Sequence, residues 1–70
     1  MTKLTQAEFE AVQDKLDAEL RTTKAGTPAR AVVESRVASW ENAIAMPQGT
    51  VSQRDARFAA IAKVASEVQS

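Results

Sequence analysis

A chain of 70 residues forms at most one small domain, close to the lower size limit for a stable hydrophobic core. It contains no cysteine and no histidine, which excludes disulfides, thiol or imidazole catalysis, and the usual ligands of zinc and haem. The nine basic and nine acidic residues cancel, and 44% of the residues are apolar. This composition is typical of a folded helical protein and not of a disordered chain.

Large apolar side chains are scarce: the chain has one Trp, two Phe and no Tyr. A core built from them is thin, so we predict that the protein is a homodimer. No apolar run approaches the roughly 20 residues that cross a membrane. Because no signal peptide is visible either, we predict a cytoplasmic location and no membrane partner.

The charges are unevenly distributed along the chain. Residues 1–20 contain five acidic residues against Lys3 and Lys15, a net charge of −3, and residues 21–70 contain seven basic against four acidic residues, a net of +3. Two interpretations remain open. The first helix is a solvated acidic helix beside mildly basic ones, or it points away from a polyanion that the other helices face.

The first predicted helix covers residues 6–21. Thr5 is a favourable N-cap and Glu8 completes a capping box, while Leu4 and Phe9 occupy the positions of a hydrophobic staple. Its apolar residues then recur at helical spacing: Phe9, Val12, Leu16 and Leu20.

The second predicted helix covers residues 28–45. Thr27 serves as the N-cap, and Pro28 suits the first helical position because its N–H is not needed there. The residue before Pro47 is disfavoured in helical geometry, which ends the helix. The predicted buried side is formed by Val33, Val37, Trp40 and Ile44, with Ala29 and Ala43 beside them.

The third predicted helix covers residues 51–69 and starts with a second capping box, Thr50 with Gln53. Its predicted buried side is formed by Val51, Phe58, Ile61, Ala65 and Val68. Arg54 falls within this apolar stripe. Either it lies at the end of the bundle with its guanidinium in water, or it reaches a carboxylate or an external ligand. We therefore predict a single all-α domain of residues 1–70, a three-helix bundle whose second helix is antiparallel to the first.

Residues 37–54 also fit a helix-turn-helix unit. The run Gly49–Gln53 suits the start of a recognition helix, the runs Leu4–Phe9 and Ala29–Val33 suit earlier helices, and the apolar positions before the turn are Trp40, Ile44 and Met46. In these residues the chain resembles the TrfB/KorA family of plasmid transcriptional repressors. The resemblance implies a regulator that binds double-stranded DNA through the start of the third helix.

The surface that this resemblance implies consists of Gln48, Thr50, Ser52, Gln53, Arg54 and Arg57, with Arg30 and Arg36 available for phosphates. Arginine and glutamine pair with base edges in a bidentate way, which assigns base readout to Gln53, Arg54 and Arg57. Hydroxyls and helix N-terminal amides suit phosphate oxygens.

An alternative function is binding of another protein. Ala31, Ala38 and Ala45 recur every seven residues on the side of the second helix away from Trp40, and small residues let another helix approach closely. Three interpretations of these alanines remain open: a dimer seam, a docking surface for a host protein, or alanines that simply occupy exposed helical positions. A small inhibitor or adaptor from a mobile element fits this size and neutral charge.

Enzymatic activity is not predicted. Asp14 with Asp17, or Glu34 with Glu41, form pairs of acids on a helix, but no nucleophile–base pair or glycine-rich phosphate loop accompanies them. Solvated surface acids account for both pairs, so we predict no catalytic residue, no metal and no cofactor.

Overall fold

A computed structural model describes residues 3–69. These residues contain three α-helices joined by two short turns: α1 (Gln6–Thr22), α2 (Pro28–Ile44) and α3 (Val51–Gln69). The predicted all-α class is confirmed, and the described residues contain no strand. The predicted domain also includes Met1, Thr2 and Ser70, which lie outside the described residues. None of the described helices combines the length and apolar character that crossing a membrane requires.

The capping box at the start of α1 is confirmed. The backbone N–H of Glu8 donates to Thr5 Oγ1 at 3.1 Å, and the backbone N–H of Thr5 donates to Glu8 Oε1 at 3.0 Å. These hydrogen bonds lower the pKa of the Glu8 carboxyl, chiefly through the backbone N–H of Thr5, because they favour the charged form. The start of α1 is therefore fixed by contacts within four residues of sequence.

The other two helix starts are also set by threonines. Thr27 Oγ1 accepts from the backbone N–H of Arg30 at 3.2 Å. At the start of α3, Thr50 Oγ1 accepts from the backbone N–H of Gln53, and Gln53 Oε1 accepts from the N–H groups of both Thr50 and Gly49. Each cap satisfies backbone donors that have no partner inside the helix, which confirms all three predicted starts.

The first two helices form an antiparallel pair, as predicted. At one end, Arg30 of α2 donates to the carbonyl oxygen of Leu20 near the end of α1. Toward the other end, the rings of Phe9 and Trp40 pack with centroids 5.0 Å apart and planes tilted by 42°. The turn between them contains Gly26, whose φ of 82° lies in the left-handed region that favours glycine.

The third helix is parallel to α1 but displaced along it. The Lys3 ammonium lies 4.9 Å from the centre of the Phe58 ring, and farther along the two helices Val12 lines the same groove as Gln69. The first two turns of α3 therefore precede the point where it meets the described part of α1. The displacement gives the molecule an elongated shape of 40 × 20 × 16 Å.

The core lies where all three helices overlap. Its buried members are Val12, Leu16, Trp40, Ala43, Ile61, Val64, Ala65 and Val68, and its half-buried neighbours are Leu4, Phe9, Val37, Ile44 and Ala60. Most residues that the apolar stripes predicted are among them. Val64 was not predicted; it is buried because α3 packs against both α1 and α2, which widens its apolar side.

Two residues predicted on the buried side are exposed, and the displacement of α3 explains both. Val51 is 67% exposed because the first two turns of α3 extend past the described part of α1. Ala29 is exposed because the last residue of α3, Gln69, lies near Val12 in the middle of α1, so the end of the molecule that holds Ala29 is two helices thick. The predictions for Val51 and Ala29 were therefore wrong.

Candidate interaction surfaces

The start of α3 and the turn before it form an exposed surface at one end of the molecule. Of the predicted DNA-contacting residues, the structure brings five together there, all exposed: Gln48, Thr50, Ser52, Gln53 and Arg54. Arg57 follows one turn later and is half-buried. This end is the part of the predicted surface that the fold assembles.

The side chains of Thr50 and Gln53, at this end of the molecule, already serve the helix cap. Gln53 Oε1 accepts from the N–H groups of Gly49 at 3.0 Å and Thr50 at 3.1 Å, which leaves its amide N–H groups as donors. Bidentate pairing with adenine needs both the oxygen and the nitrogen of a glutamine amide. Readout of adenine by Gln53 would therefore require the cap to open.

Arg57 also has a role within the fold. Its Nε donates to the carbonyl oxygen of Ile44 at 2.9 Å, and Ile44 is the last residue of α2. Carbonyl groups at a helix C-terminus lack partners inside the helix and carry the negative end of its dipole. Arg57 therefore caps α2 and links it to α3 across the turn.

The two arginines predicted to contact phosphates lie on α2 and hold the α1–α2 pair. Arg30 Nη1 donates to the carbonyl oxygens of Leu20 at 3.1 Å and Thr23 at 3.0 Å, at the end of α1. Arg36 Nη1 lies 3.8 Å from Glu19 Oε2, which joins the middle of α2 to α1. Both are half-buried, and the structure does not bring them to the exposed start of α3.

Arg54 differs from these three arginines. It is exposed, and its side chain has no hydrogen bond or ion pair with any described residue. No carboxylate of the described chain pairs with it, so the structure leaves two of the predicted surroundings for this guanidinium, water at the end of the bundle or an external ligand. Arg54 is available to an external group.

The predicted alanine stripe is present on the surface of α2. Ala31, Ala38 and Ala45 are all exposed, on the side opposite buried Trp40. None of these alanines lines any of the three grooves described next. The stripe is an exposed surface of small side chains that another helix could approach closely.

A groove of about 380 Å³ lies between α1 and α3. It is lined by Leu4, Glu8, Ala11, Val12, Ala62, Ala65, Ser66 and Gln69. Val12 and Ala65 belong to the buried core, so the floor of this groove is the core itself. We refer to these eight residues as the α1–α3 groove.

The sequence did not predict the α1–α3 groove, although one signal of it was present. On α3, Ala62 and Ser66 are one turn apart beside the apolar stripe, and Ala11 lies next to buried Val12 on α1. Small side chains at the border of an apolar stripe leave a depression when two such helices are neighbours. Only the packing of the whole chain determines which helices are neighbours and how far each is displaced along the other.

A second groove, of about 360 Å³, lies between α2 and α3 and is more polar. It is lined by Ser39, Asn42, Ala43, Met46, Ala60, Lys63, Val64 and Glu67. Arg57, near the start of α3, donates to the carbonyl oxygen of Ile44 at the end of α2, and both helices line this groove, so α2 and α3 lie side by side in opposite directions. The mixture of amide, ammonium and carboxylate groups on its rim makes it less suited to an apolar partner.

The outer surface of α1 is acidic. A shallow depression there is lined by Gln6, Phe9, Glu10, Gln13, Asp14 and Asp17. The acids predicted to be solvated, Asp14 and Asp17, are exposed. The part of the chain that the structure describes contains no group of three or more side chains suited to holding a metal ion.

Comparisons with protein-family models, curated proteins and solved structures find no match to this chain.

Proposed function

We propose that this protein is a non-enzymatic helical module that binds another protein chain through the α1–α3 groove. The observation that carries the proposal is a concave apolar surface whose floor, Val12 and Ala65, belongs to the core. Interfaces derive most of their affinity from apolar anchors that enter such desolvated depressions.

The shape of the α1–α3 groove favours a helix as its occupant. Its walls are two parallel helices, and the residues between them are mostly small, such as Ala11, Ala62 and Ser66. Small residues allow a third helix to approach both walls closely. A bound helix would complete a four-helix bundle and cover the side of the core that α1 and α3 leave thinly protected.

The polar residues of the rim define the chemistry of that helix. Glu8 contributes a carboxylate on the α1 side, and Gln69 contributes an amide on the α3 side. A complementary helix has an apolar stripe with alanine, valine or leucine, and a basic residue at its border with the polar side.

Site-specific photocrosslinking tests the proposal. We expect benzophenone-bearing phenylalanine in place of Ala11 to crosslink a protein in a nuclease-treated lysate of the cells that encode this chain, and the same group in place of Ala38 not to. Both alanines are exposed and helical, so position 38 is a matched control on the outer side of α2. Ser66→Arg, which fills the groove from an exposed position, is expected to abolish the crosslink. Equal crosslinking from both positions, or a crosslink that Ser66→Arg leaves unchanged, would argue against this groove.

DNA binding is the second candidate, because one observation favours it. The exposed end formed by residues 48–54 carries Arg54, a cation with no partner in the described chain, beside the N-terminal amides of α3. Such amides and arginines are the groups that contact phosphates. The resemblance of Gly49–Gln53 to a recognition-helix start points to the same end.

Titration of a fluorescent random-sequence duplex at several salt concentrations tests this candidate. If the exposed end binds phosphates, Arg54→Gln is expected to weaken binding and to reduce the slope of log affinity against log salt by about one. Arg21→Gln, an exposed arginine at the other end of the bundle, serves as the control and is expected to leave the slope unchanged. Absence of binding at low salt, or affinity independent of salt, would remove DNA as a ligand.

A further inference from the structure

Val51 is an apolar side chain that the fold leaves in solvent. Two large apolar residues of the described chain are exposed, Val32 at 51% and Val51 at 67%. Val51 lies in the first turn of α3, on the same side of the helix as Ala62 and Ser66, which follow about three and four turns later. One side of α3 therefore carries an exposed apolar side chain at its start and the lining of the α1–α3 groove toward its end.

We propose that the α1–α3 groove binds a second copy of this chain, with the two α3 helices antiparallel and Val51 of each copy in the groove of the other. The inference rests on the proposed function, since it names the partner of the same groove. In an antiparallel pair, the start of one α3 lies beside the end of the other, which is where Ser66 and Gln69 line the groove. A two-fold axis makes the contact isologous, so both valines are buried and the assembly closes at two copies.

The charges on the two surfaces are complementary. Arg54 lies one turn after Val51 on the same side of α3 and has no partner in the described part of its own chain. Glu8 lies on the rim of the groove, on the acidic first third of the chain. The antiparallel arrangement directs Arg54 and the positive end of the α3 dipole toward the Glu8 side of the second copy. Asp55 lies on this side of α3 too, and the nearby arginines leave the start of α3 with a net positive charge.

The size of the surface indicates a reversible dimer. Helix α3 has 19 residues and is therefore about 28 Å long, and the molecule is 20 Å across in its second dimension. A contact along one two-helix side buries several hundred Å² on each copy, which is in the range of weak and transient interfaces. Dimerisation is therefore expected to depend on concentration.

Analytical ultracentrifugation from about 10 µM to about 1 mM measures this equilibrium. The wild-type chain is expected to pass from monomer to dimer across the series. Val51→Glu and Ala11→Glu, each placing a carboxylate in the interface from an exposed helical position, are expected to raise the dissociation constant about tenfold or more. Val32→Glu and Ala38→Glu make the same changes at exposed positions outside the interface and are expected to leave it unchanged. Ala38→Glu also tests the alanine stripe of α2 as the alternative seam.

Cysteine pairing tests the antiparallel register, because the chain has no cysteine of its own. Equal amounts of the single variants Val51→Cys and Ser66→Cys are mixed and oxidised gently. The mixed disulfide is expected to dominate over either homodimer. The pair Val32→Cys with Ser66→Cys is the control and is expected to give only the background level.

The inference would be overturned by a monomer over the whole concentration series, by a dimer that the control substitutions dissociate equally, or by mixed disulfide at the background level. The proposed function stands or fails separately. A monomeric chain whose position 11 still crosslinks a different protein keeps the groove and loses only the second copy as its occupant. A dimer dissociated by Ala38→Glu and not by Ala11→Glu places the contact on α2 instead.

Discussion

Replacing Trp40 with alanine is expected to leave a large fraction of the protein unfolded at room temperature. Trp40 is 3% exposed, packs against Phe9 and belongs to the buried cluster that joins all three helices. Large-to-small changes of a buried tryptophan cost about 3–5 kcal/mol of unfolding free energy. A chain of this length has roughly 4–10 kcal/mol in total, so the loss is comparable with the whole stability. Urea unfolding followed by circular dichroism measures the effect.

Trp40→Phe is the informative control for this prediction. Phenylalanine keeps most of the apolar volume and removes the indole N–H, which is buried and has no acceptor among the described residues. Because that N–H makes no hydrogen bond in the fold, its removal costs no interaction. The loss of unfolding free energy in Trp40→Phe is therefore expected to be less than half of that in Trp40→Ala. Equal losses for the two variants would mean that the indole N–H contributes to stability and that the ring volume does not dominate.

Replacing Arg30 with methionine is expected to cost about 2 kcal/mol of unfolding free energy, the second largest effect we predict. One guanidinium nitrogen of Arg30 donates to the carbonyl oxygens of both Leu20 and Thr23, at the end of α1. These carbonyls have no partner within the helix, and Arg30 is half-buried, so water replaces the lost donor only in part. Methionine retains the apolar length of the side chain and removes the charge and the donors.

Arg54→Met is the matched control for Arg30→Met. Both are arginines on helices, but Arg54 is exposed and has no partner in the described chain. Its replacement is expected to change stability by less than about 0.5 kcal/mol. The comparison uses the midpoint of urea unfolding for the two variants. If their midpoints coincide, Arg30 does not hold the end of α1, and it becomes as available for phosphate contacts as the DNA hypothesis requires.

The helix boundaries were predictable because short-range contacts define them. Thr5 with Glu8, Thr27 with Pro28, and Thr50 with Gln53 each place a cap and its partner within four residues of sequence. Such pairs can form however the rest of the chain packs. The same locality made the three-helix fold predictable, since apolar residues at helical spacing point to one side of each helix.

The roles of the arginines were not predictable because they depend on contacts across the fold. Arg57 was assigned to base readout, but its partner is the carbonyl of Ile44, thirteen residues away on another helix. Arg30 likewise reaches the end of α1. A sequence does not show which side chain will donate to the carbonyl groups at a helix C-terminus. From the sequence alone, an arginine that caps a helix therefore cannot be distinguished from an arginine on the surface. The resemblance to a DNA-binding family remains a hypothesis that the titration tests.

The displacement of α3 along α1 accounts for what the apolar stripes could not predict. A stripe says which side of a helix is buried but not how far along its neighbour the helix lies. Val51 fits the stripe of α3 and is nevertheless exposed, because α1 does not extend to it. The α1–α3 groove arises from the same packing geometry.

The uneven thickness of the bundle has a consequence for the order in which it comes apart. The last turn of α3 lies beside Val12 of α1 and Ser39 of α2, so the end of the molecule around Gly26 consists mainly of α1 and α2, which polar contacts of Arg30 and Arg36 hold together. Amide protons near this turn are expected to exchange with solvent at lower free-energy cost than those beside Trp40. Local unfolding that starts at the turn leaves the hydrophobic cluster around Trp40 assembled. Such partial opening therefore need not disturb the α1–α3 groove.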